Sequence, residues 1–259
     1  MVSDIAIMTR GDTPYVRELV ACLVEANRPP KVIFFLSRAG RLWFKYRSFQ
    51  RISKQLGLIE AVRRIRRREP RSLTPKTLPS VHTLAEMHNV RIVDYDYVNQ
   101  GRVLTELAGL HDPLVLLAGA GLVRSGIVRL ARGGCLNAHP APLPGLRGVD
   151  VIAWALAEGH ELGISVHEVV EKVDAGTVVQ TEALDVRAEE EYGDFLDRAI
   201  ETQARTLATA VLDYHGDVTR QAIPQTPEIL GPLKRSAPAH VHRAARAAYD
   251  RLRDSIAAL

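Results

Sequence analysis

Residues 114–139 read LVLLAGAGLVRSGIVRLARGGCLNAH, a stretch in which two apolar runs flank a short helical pattern. The runs from Leu114 to Leu117 and from Gly134 to Asn137 predict strands, and the segment from Ser125 to Arg132 predicts the helix between them. Parallel strands need a crossover connection, which is usually a helix. The stretch therefore predicts a βαβ unit in a parallel sheet.

The same alternation of strands and helices extends on both sides of this unit. Further strands are predicted at 5–8, 31–36, 90–93, 163–170 and 178–184, and further helices at 14–25, 80–88, 102–110, 151–158, 189–212 and 239–257. We therefore expect an α/β fold: a Rossmann-like, mostly parallel twisted sheet with helices on both faces. The expected domain covers residues 1–212, and residues 213–259 form a short irregular and helical C-terminal tail.

Composition excludes several classes of protein. The 259 residues are 46% hydrophobic and 25% charged, which is ordinary for a globular domain. No apolar run approaches the ~20 residues that a membrane-spanning helix needs, and the N-terminus lacks the pattern of a secretory signal. The two cysteines, Cys22 and Cys135, give neither a disulfide framework nor a zinc spacing. Cys135 is expected to be an inert, buried residue that packs in the core. We expect a cytoplasmic protein with no membrane partner and no metal.

Charge is concentrated in one segment, residues 41–76, which carries twelve Lys/Arg and two Glu in a chain of formal net charge +4. Its densest part is the run from Arg63 to Arg68. The segment is either a docking site for a phosphorylated ligand, nucleic acid or anionic membrane, or a solvated, partly helical insertion whose arginines face water. It lacks a recognisable nucleic-acid module, so nucleic acid is not an expected partner.

Three residues have the functional groups needed to move an acyl carbon onto an amine. Asn137 and His139 lie in LNAHPAPLPGLRG at 136–148, and Asp174 lies in GISVHEVVEKVDAG at 163–176. An amide and a protonated imidazole can stabilise a tetrahedral oxyanion, and a carboxylate can hold the imidazole and raise its pKa. His139 is the expected general acid for the leaving amine. Each residue alone is more often structural, so the prediction depends on their combination.

The block Asn-x-His-Pro-x-x-Leu-Pro-x-x-x-Gly, followed by Val-His at 166–167 and Val-Asp-Ala-Gly at 173–176, resembles the folate-dependent formyltransferases. That family includes enzymes acting on glycinamide ribonucleotide, methionyl-tRNA and amino sugars. The resemblance is firm over 112–184. It implies that Asn137, His139 and Asp174 are catalytic and that 10-formyltetrahydrofolate is the cosubstrate. His167 matches a family histidine, which is read either as catalytic or as filling a polar pocket.

The resemblance also implies where the ligands bind. Family members hold the pterin with backbone groups that map to Leu122, Val123 and Arg124, and to Val170, Glu171 and Val173. The sequence Ala-Gly-Leu-Val-Arg at 120–124 departs from the family's usual Phe/Tyr-Met-Arg-Ile-Leu. Acceptor contacts are expected from Arg10 and Gly11, and from Arg147 and Gly148.

The acceptor is expected to be a compact primary amine, either an amino-deoxysugar nucleotide or a natural-product amine. The loop at 9–14, Thr-Arg-Gly-Asp-Thr-Pro, lacks the Gly-Ser-Asn phosphate cradle of the purine-pathway members. The chain is also too short for the extra barrel domain with which methionyl-tRNA formyltransferases hold tRNA. Monomers and homodimers are both expected of such enzymes.

Three functions remain open on the sequence, and an N-formyltransferase is favoured. The second is a hydrolase that releases formate from the same folate, with water replacing the amine. The third is a Rossmann-like binding protein without turnover. Its dinucleotide signature, Gly-x-Gly-x-x-Gly after the first strand, is missing, because Gly11 stands alone there.

Overall fold

The computed structural model of the chain describes residues 3–59, 62, 78–214 and 222–258. The strands are β1 Ile5–Thr9, β2 Val32–Leu36, β3 Arg91–Tyr95, β4 Leu114–Ala118, β5 Cys135–His139, β6 Arg147–Gly148, β7 Gly163–Glu168, β8 Val178–Ala183 and β9 Leu233–Lys234. The helices are α1 Pro14–Glu25, α2 Arg38–Leu56, α3 Val81–Met87, α4 Gly101–Ala108, α5 Ser125–Leu130, α6 Val151–Glu158, α7 Tyr192–Asp213 and α8 Ala239–Ala257.

Seven of the strands in this described part form one sheet in the order β3-β2-β1-β4-β5-β7-β8. The first five are parallel, and β7 runs antiparallel to both β5 and β8. The predicted βαβ unit is β4-α5-β5, in which Leu117 pairs with Asn137. The prediction of a mostly parallel α/β sheet is therefore confirmed.

Apolar side chains cover both faces of the sheet. On β1, Ile5 and Ile7 point into one cluster, which α1 and α7 complete, whereas Ala6 and Met8 point into a second cluster beneath α4 and α5. Successive residues of a strand alternate between faces, so burial on both faces requires an unbroken apolar run. This explains why the strands read as continuous apolar segments rather than as alternating ones.

The C-terminal tail is attached to the rim of the sheet. Its strand β9 pairs in parallel with β6, and its helix α8 packs against α6. Tyr249 of α8 is fully buried, and its hydroxyl donates to the Glu190 carbonyl at 2.9 Å. Strands β6 and β9 have two residues each. They carry no periodic signal, and the sequence patterns did not predict them.

Helix α2 forms the first half of the basic 41–76 segment. The Ser37 hydroxyl caps it by accepting the Gly40 N–H at 3.0 Å. The dense run from Arg63 to Arg68 lies outside the described residues.

None of the helices in the described ranges is both long and apolar enough to cross a membrane.

Candidate functional site

The predicted catalytic residues meet at the carboxyl end of β5. Asn137 and His139 are two residues apart on this strand, so their side chains share one face of the sheet. The antiparallel neighbour β7 places His167 directly opposite Asn137. Asp174 comes from the loop between β7 and β8 and lies within 4 Å of both histidines. We call Asn137, His139, His167 and Asp174 the polar cluster.

The His139 ring lies between a carbonyl and a carboxylate. It is 3% exposed, and its Nε2 lies 2.9 Å from the Leu146 carbonyl oxygen. A carbonyl only accepts, so Nε2 carries the proton of the neutral ring, and the bare Nδ1 faces the Asp174 Oδ2 at 3.7 Å.

Burial lowers the pKa of His139, because desolvation outweighs the opposing influence of the Asp174 carboxylate. From the sequence, we expect Asp174 to raise this pKa. The carboxylate does act in that direction, but the larger cause is burial, which sequence patterns do not measure. His139 is therefore a neutral imidazole at neutral pH, able to accept a proton at Nδ1.

His167 fixes the orientation of the Asn137 amide. Its Nδ1 donates to the Glu168 carbonyl at 2.7 Å, which leaves Nε2 to accept the Asn137 Nδ2–H at 3.2 Å. The same Nε2 is 3.6 Å from the Asp174 Oδ1. Burial also lowers the pKa of His167, in agreement with a neutral ring that accepts from the amide.

Backbone and side-chain donors from the adjoining loop hold Asp174 in place. Asp174 has a φ of 49°, and its Oδ2 accepts the Gly148 N–H at 2.9 Å. Gly148 has a φ of 110°, and a Cβ there would overlap the Lys234 carbonyl of β9. Glycine is thus required at the point where three segments meet.

Arg147 extends this support. Its guanidinium is buried and donates to the Val173 carbonyl at 2.9 Å and to the Gly231 carbonyl at 3.1 Å. Arg147 and Gly148 were predicted to contact the acceptor. Their hydrogen bonds in the structure are directed at the loop that carries Asp174, so they position a residue of the polar cluster.

The two predicted folate loops follow β4 and β7, and each contains exposed residues. In the first, Leu122 is 68% exposed and Val123 is buried. In the second, Val170, Glu171 and Val173 are exposed immediately before Asp174. The chain thus brings all six predicted folate residues to the neighbourhood of the strand ends.

Asn99 bridges the first of these loops to the end of β3. Its Nδ2 donates to the Leu122 carbonyl at 3.1 Å, and its Oδ1 accepts the Arg124 N–H at 2.7 Å. Sequence reasoning missed this residue, since nothing in the sequence around 99 signals a contact with 122–124. Asn99 thus forms hydrogen bonds with two backbone groups of the predicted folate loop, the Leu122 carbonyl and the Arg124 N–H.

Arg10, in the loop after β1, connects neighbouring loops. Its Nε donates to the Gly119 carbonyl after β4, and its Cζ lies 4.3 Å from the ring centroid of Phe44 in α2. The next residue, Gly11, accepts the Thr9 hydroxyl at 2.9 Å through its carbonyl. Asp12 forms an ion pair with Arg17 at 2.6 Å. The loop is therefore held by its own hydrogen bonds and by α2.

The polar cluster combines an amide donor hydrogen-bonded to His167 with two neutral imidazoles that lie within 4 Å of a carboxylate. The Asn137 amide has two N–H bonds, of which one is directed at His167. A proton that arrives at Nδ1 of His139 is stabilised by Asp174. Within the described ranges, no group of three or more His, Cys, Asp or Glu residues is arranged to hold a metal ion.

A family model described as formyl transferase matches residues 94–211. The match runs from β3 to α7 and includes the whole polar cluster. Over residues 94–211 the chain is therefore similar to the formyl transferase family. The resemblance on the Asn-x-His-Pro block is thereby confirmed.

Curated relatives match only part of the chain. The chain is 28% identical to a methionyl-tRNA formyltransferase from Thermotoga maritima over 142 residues. These residues make up 54% of this chain and 45% of the relative. The chain spans less than half the length of the curated relatives it matches.

Solved structures match over a larger share. A phosphoribosylglycinamide formyltransferase from Anaplasma phagocytophilum superposes with a TM-score of 0.59 at 16% identity, over 91% of this chain and 100% of that one. A likely sugar N-formyltransferase from Mycobacterium tuberculosis gives a TM-score of 0.55 at 12% identity, over 96% and 87%. At these identities the matches establish the fold.

Proposed function

We propose that the chain transfers the formyl group of 10-formyltetrahydrofolate to a primary amine of a small acceptor. The observation that carries this proposal is the polar cluster itself: an amide oriented by His167 beside a neutral imidazole that faces a carboxylate. The cluster lies at the carboxyl end of a strand, where open α/β sheets bind ligands. It also falls within the segment that matches the formyl transferase family.

Asn137 stabilises the tetrahedral intermediate. When the acceptor amine attacks the formyl carbon, the carbonyl oxygen becomes an oxyanion. One N–H of Asn137 is held by His167, and the other is available to that oxyanion. A single donor of this kind lowers the barrier by about 3 to 4 kcal/mol in other acyl transfers.

His139 moves the proton. The attacking nitrogen gains positive charge and must lose a proton, which the bare Nδ1 of His139 accepts. Asp174, 3.7 Å away, stabilises the imidazolium. That ion then protonates N10 of the folate as the bond from N10 to the formyl carbon breaks. The products are the formamide and tetrahydrofolate, and no other reactant is required.

The folate pteridine is proposed to bind across Leu122, Val123 and Arg124, with Val170, Glu171 and Val173 on the other side. Leu122 of the first loop and all three residues of the second are exposed, and the second loop leads directly into Asp174. The Asn99 amide presents one donor and one acceptor to the first loop. A pterin ring offers the same pair along its edge, so folate has to displace Asn99.

For the acceptor, we favour an amino-deoxysugar nucleotide over a natural-product amine. Arg10 and Gly11 lie in the loop that follows β1, and Arg10 contacts the loop after β4, the strand between β1 and β5. Arg147 and Gly148 act on the acceptor through their hold on the Asp174 loop. The cytoplasm is the proposed compartment, because both cysteines are unpaired.

The proposal is tested by folate turnover. The purified protein is incubated with 10-formyltetrahydrofolate, with and without a panel of sugar-nucleotide amines and simple amines. Tetrahydrofolate release and formylated products are followed together by mass spectrometry, with Asn137→Ala as the control for contaminating activity. Release that depends on an amine, with a product heavier by one formyl group, supports the transferase.

Other outcomes count against it. Release without an amine identifies a hydrolase. If the protein neither releases tetrahydrofolate nor binds folate, the chain is assigned to the non-catalytic binding proteins.

A further inference from the structure

Helix α2 presents aromatic and basic side chains to solvent at the edge of the sheet that carries the polar cluster. Its 19 residues include six Lys/Arg and no Asp/Glu. Leu42, Trp43 and Tyr46 are all exposed, with Trp43 at 49%. Clustered exposed aromatic side chains often mark a binding surface, and here they accompany six basic residues on a helix that carries no acidic residue.

Trp43 is part of an ordered arrangement rather than an isolated surface residue. Its ring packs edge-on against Tyr97 from the loop after β3, with centroids 5.9 Å apart and an interplanar angle of 77°. The Arg47 guanidinium carbon lies 5.6 Å from the Trp43 centroid. Tyr97 is itself 39% exposed. We call Trp43, Tyr46, Arg47 and Tyr97 the aromatic platform.

Helical spacing places Lys45 on a different face of α2 from the platform. Residues three and four apart are neighbours on a helix, so Trp43, Tyr46 and Arg47 share a face. Lys45 is two residues from Trp43 and projects to another side. Lys45 therefore provides a control of equal charge on the same helix.

The platform lies within reach of the polar cluster. Helix α2 follows β2, and the sheet order places β2 three strands from β5. At the usual spacing between strands, β5 lies about 14 Å from β2 and about 19 Å from β3, the strand that Tyr97 follows. An extended nucleoside diphosphate sugar has a comparable length from a sugar amine to its base. Arg10, which touches both Phe44 of α2 and the loop after β4, lies along the connecting edge.

Two acidic residues, in the loops after β1 and β3, have partners of their own. Asp96, next to Tyr97, accepts the Ser37 hydroxyl at the start of α2. Asp12, in the loop after β1, is paired with Arg17. The basic residues of α2 thus face a ligand without a competing acid on the same helix.

We infer that the aromatic platform is a subsite for the nucleoside diphosphate portion of the acceptor, an inference that rests on the proposed formyl transfer. The base stacks on the Trp43 ring, with Tyr97 lying edge-on beside it, since every base offers a π-face to an aromatic side chain. The diphosphate contacts Arg47, whose planar guanidinium matches phosphate oxygens. The acceptor's amine then extends along the sheet edge toward Asn137.

Binding is measured without folate and without turnover, so it is independent of the proposed reaction. The chain has two tryptophans, and Trp154→Phe leaves Trp43 as the fluorescent reporter. Circular dichroism and thermal melting verify that this variant is folded. UDP and dTDP are titrated, with inorganic pyrophosphate and a tRNA as comparison ligands. We expect saturable quenching of Trp43 by the nucleoside diphosphates and none by pyrophosphate.

Two further variants locate the contact. Arg47→Gln in the same background should weaken nucleotide binding about tenfold or more, the loss typical of one charge-assisted hydrogen bond. Lys45→Gln should leave it within about twofold, because general charge attraction is screened in salt.

Three results overturn the inference: no quenching by either nucleoside diphosphate, equal losses in the two variants, or quenching by tRNA alone. Formyl transfer to simple amines without nucleotide binding removes the subsite and leaves the proposed function intact. Nucleotide binding without any formyl transfer keeps the nucleotide subsite and removes the proposed function.

Discussion

The polar cluster on β5 and the aromatic platform on α2 lie at the same edge of one sheet but are built differently. In the cluster, buried side chains are held by hydrogen bonds, as His139 is by Leu146 and Asp174 by Gly148. On the platform, Trp43 and Tyr97 contact each other and remain exposed. Chemistry needs fixed geometry, whereas partner choice is commonly made by exposed residues on loops and edges.

The largest effect should come from the cluster. Asn137→Ala removes the oxyanion donor, and kcat should fall by about 10² to 10³-fold. The dissociation constant of folate should stay within about twofold, since the side chain acts on the intermediate rather than on the ground state. Single-turnover kinetics and equilibrium folate binding measure the two quantities. Equal losses in both would give Asn137 the role of a ground-state contact.

Asp174→Asn should lower kcat by about 10²-fold or more and shift the pH profile. In the proposed mechanism His139 is the neutral base, so activity should be lost as pH falls through its folded pKa, which burial places below the ordinary value. Asp174 opposes that effect, so its removal should move the acidic limb of kcat/KM to lower pH. An acidic limb unchanged from that of the wild type contradicts the pairing. Thermal melting of the variant serves as the control for folding.

Alanine substitution of Gly148 and of Gly11 should have different effects on the free energy of unfolding. Gly148→Ala places a Cβ on the Lys234 carbonyl at a left-handed φ and should destabilise folding by about 2 to 4 kcal/mol. Gly11 has open space around its Cβ position. Gly11→Ala should therefore change the free energy of unfolding by less than about 0.5 kcal/mol. Urea titration compares the two, and similar values would show that the junction at Asp174 is not rigid.

The smallest effect concerns Asn99, the bridge to the proposed folate loop. In the free protein its amide satisfies the Leu122 carbonyl and the Arg124 N–H. A pterin that uses these groups must displace the amide, so Asn99→Ala should tighten folate binding about threefold to tenfold, the equivalent of one hydrogen bond. Calorimetric titration of folate into the wild type and the variant measures the two dissociation constants. Weaker binding in the variant would mean that Asn99 shapes the loop for folate.

Much of the sheet could be predicted, because strands buried on both faces leave unbroken apolar runs such as Leu114 to Leu117. The placement of Asn137 and His139 at the end of β5 followed from the same pattern. Asp174 could be joined to them only through the family resemblance, since it lies on a loop beyond β7. The family prediction is confirmed over residues 94–211, and the roles of these residues remain predictions.

Other features depend on distances through space that a sequence pattern does not contain. The pairing of β6 with β9 joins residues more than 80 positions apart, and Asn99 reaches Leu122 from a separate loop. The direction of the His139 pKa depends on burial by surrounding segments. The exposure of Trp43 also appeared only in three dimensions, because an apolar residue in a basic segment reads equally well as core.

The central claim is that the polar cluster performs the transfer while the aromatic platform selects the acceptor. The most direct measurement is a comparison of kcat and KM for a nucleotide-linked amino sugar and for the free amino sugar, in wild type, Asn137→Ala and Arg47→Gln. The account predicts that Asn137→Ala lowers kcat for both acceptors, and that Arg47→Gln raises KM for the nucleotide-linked acceptor alone. A fall in kcat for both acceptors with Arg47→Gln, or an unchanged kcat with Asn137→Ala, would contradict it.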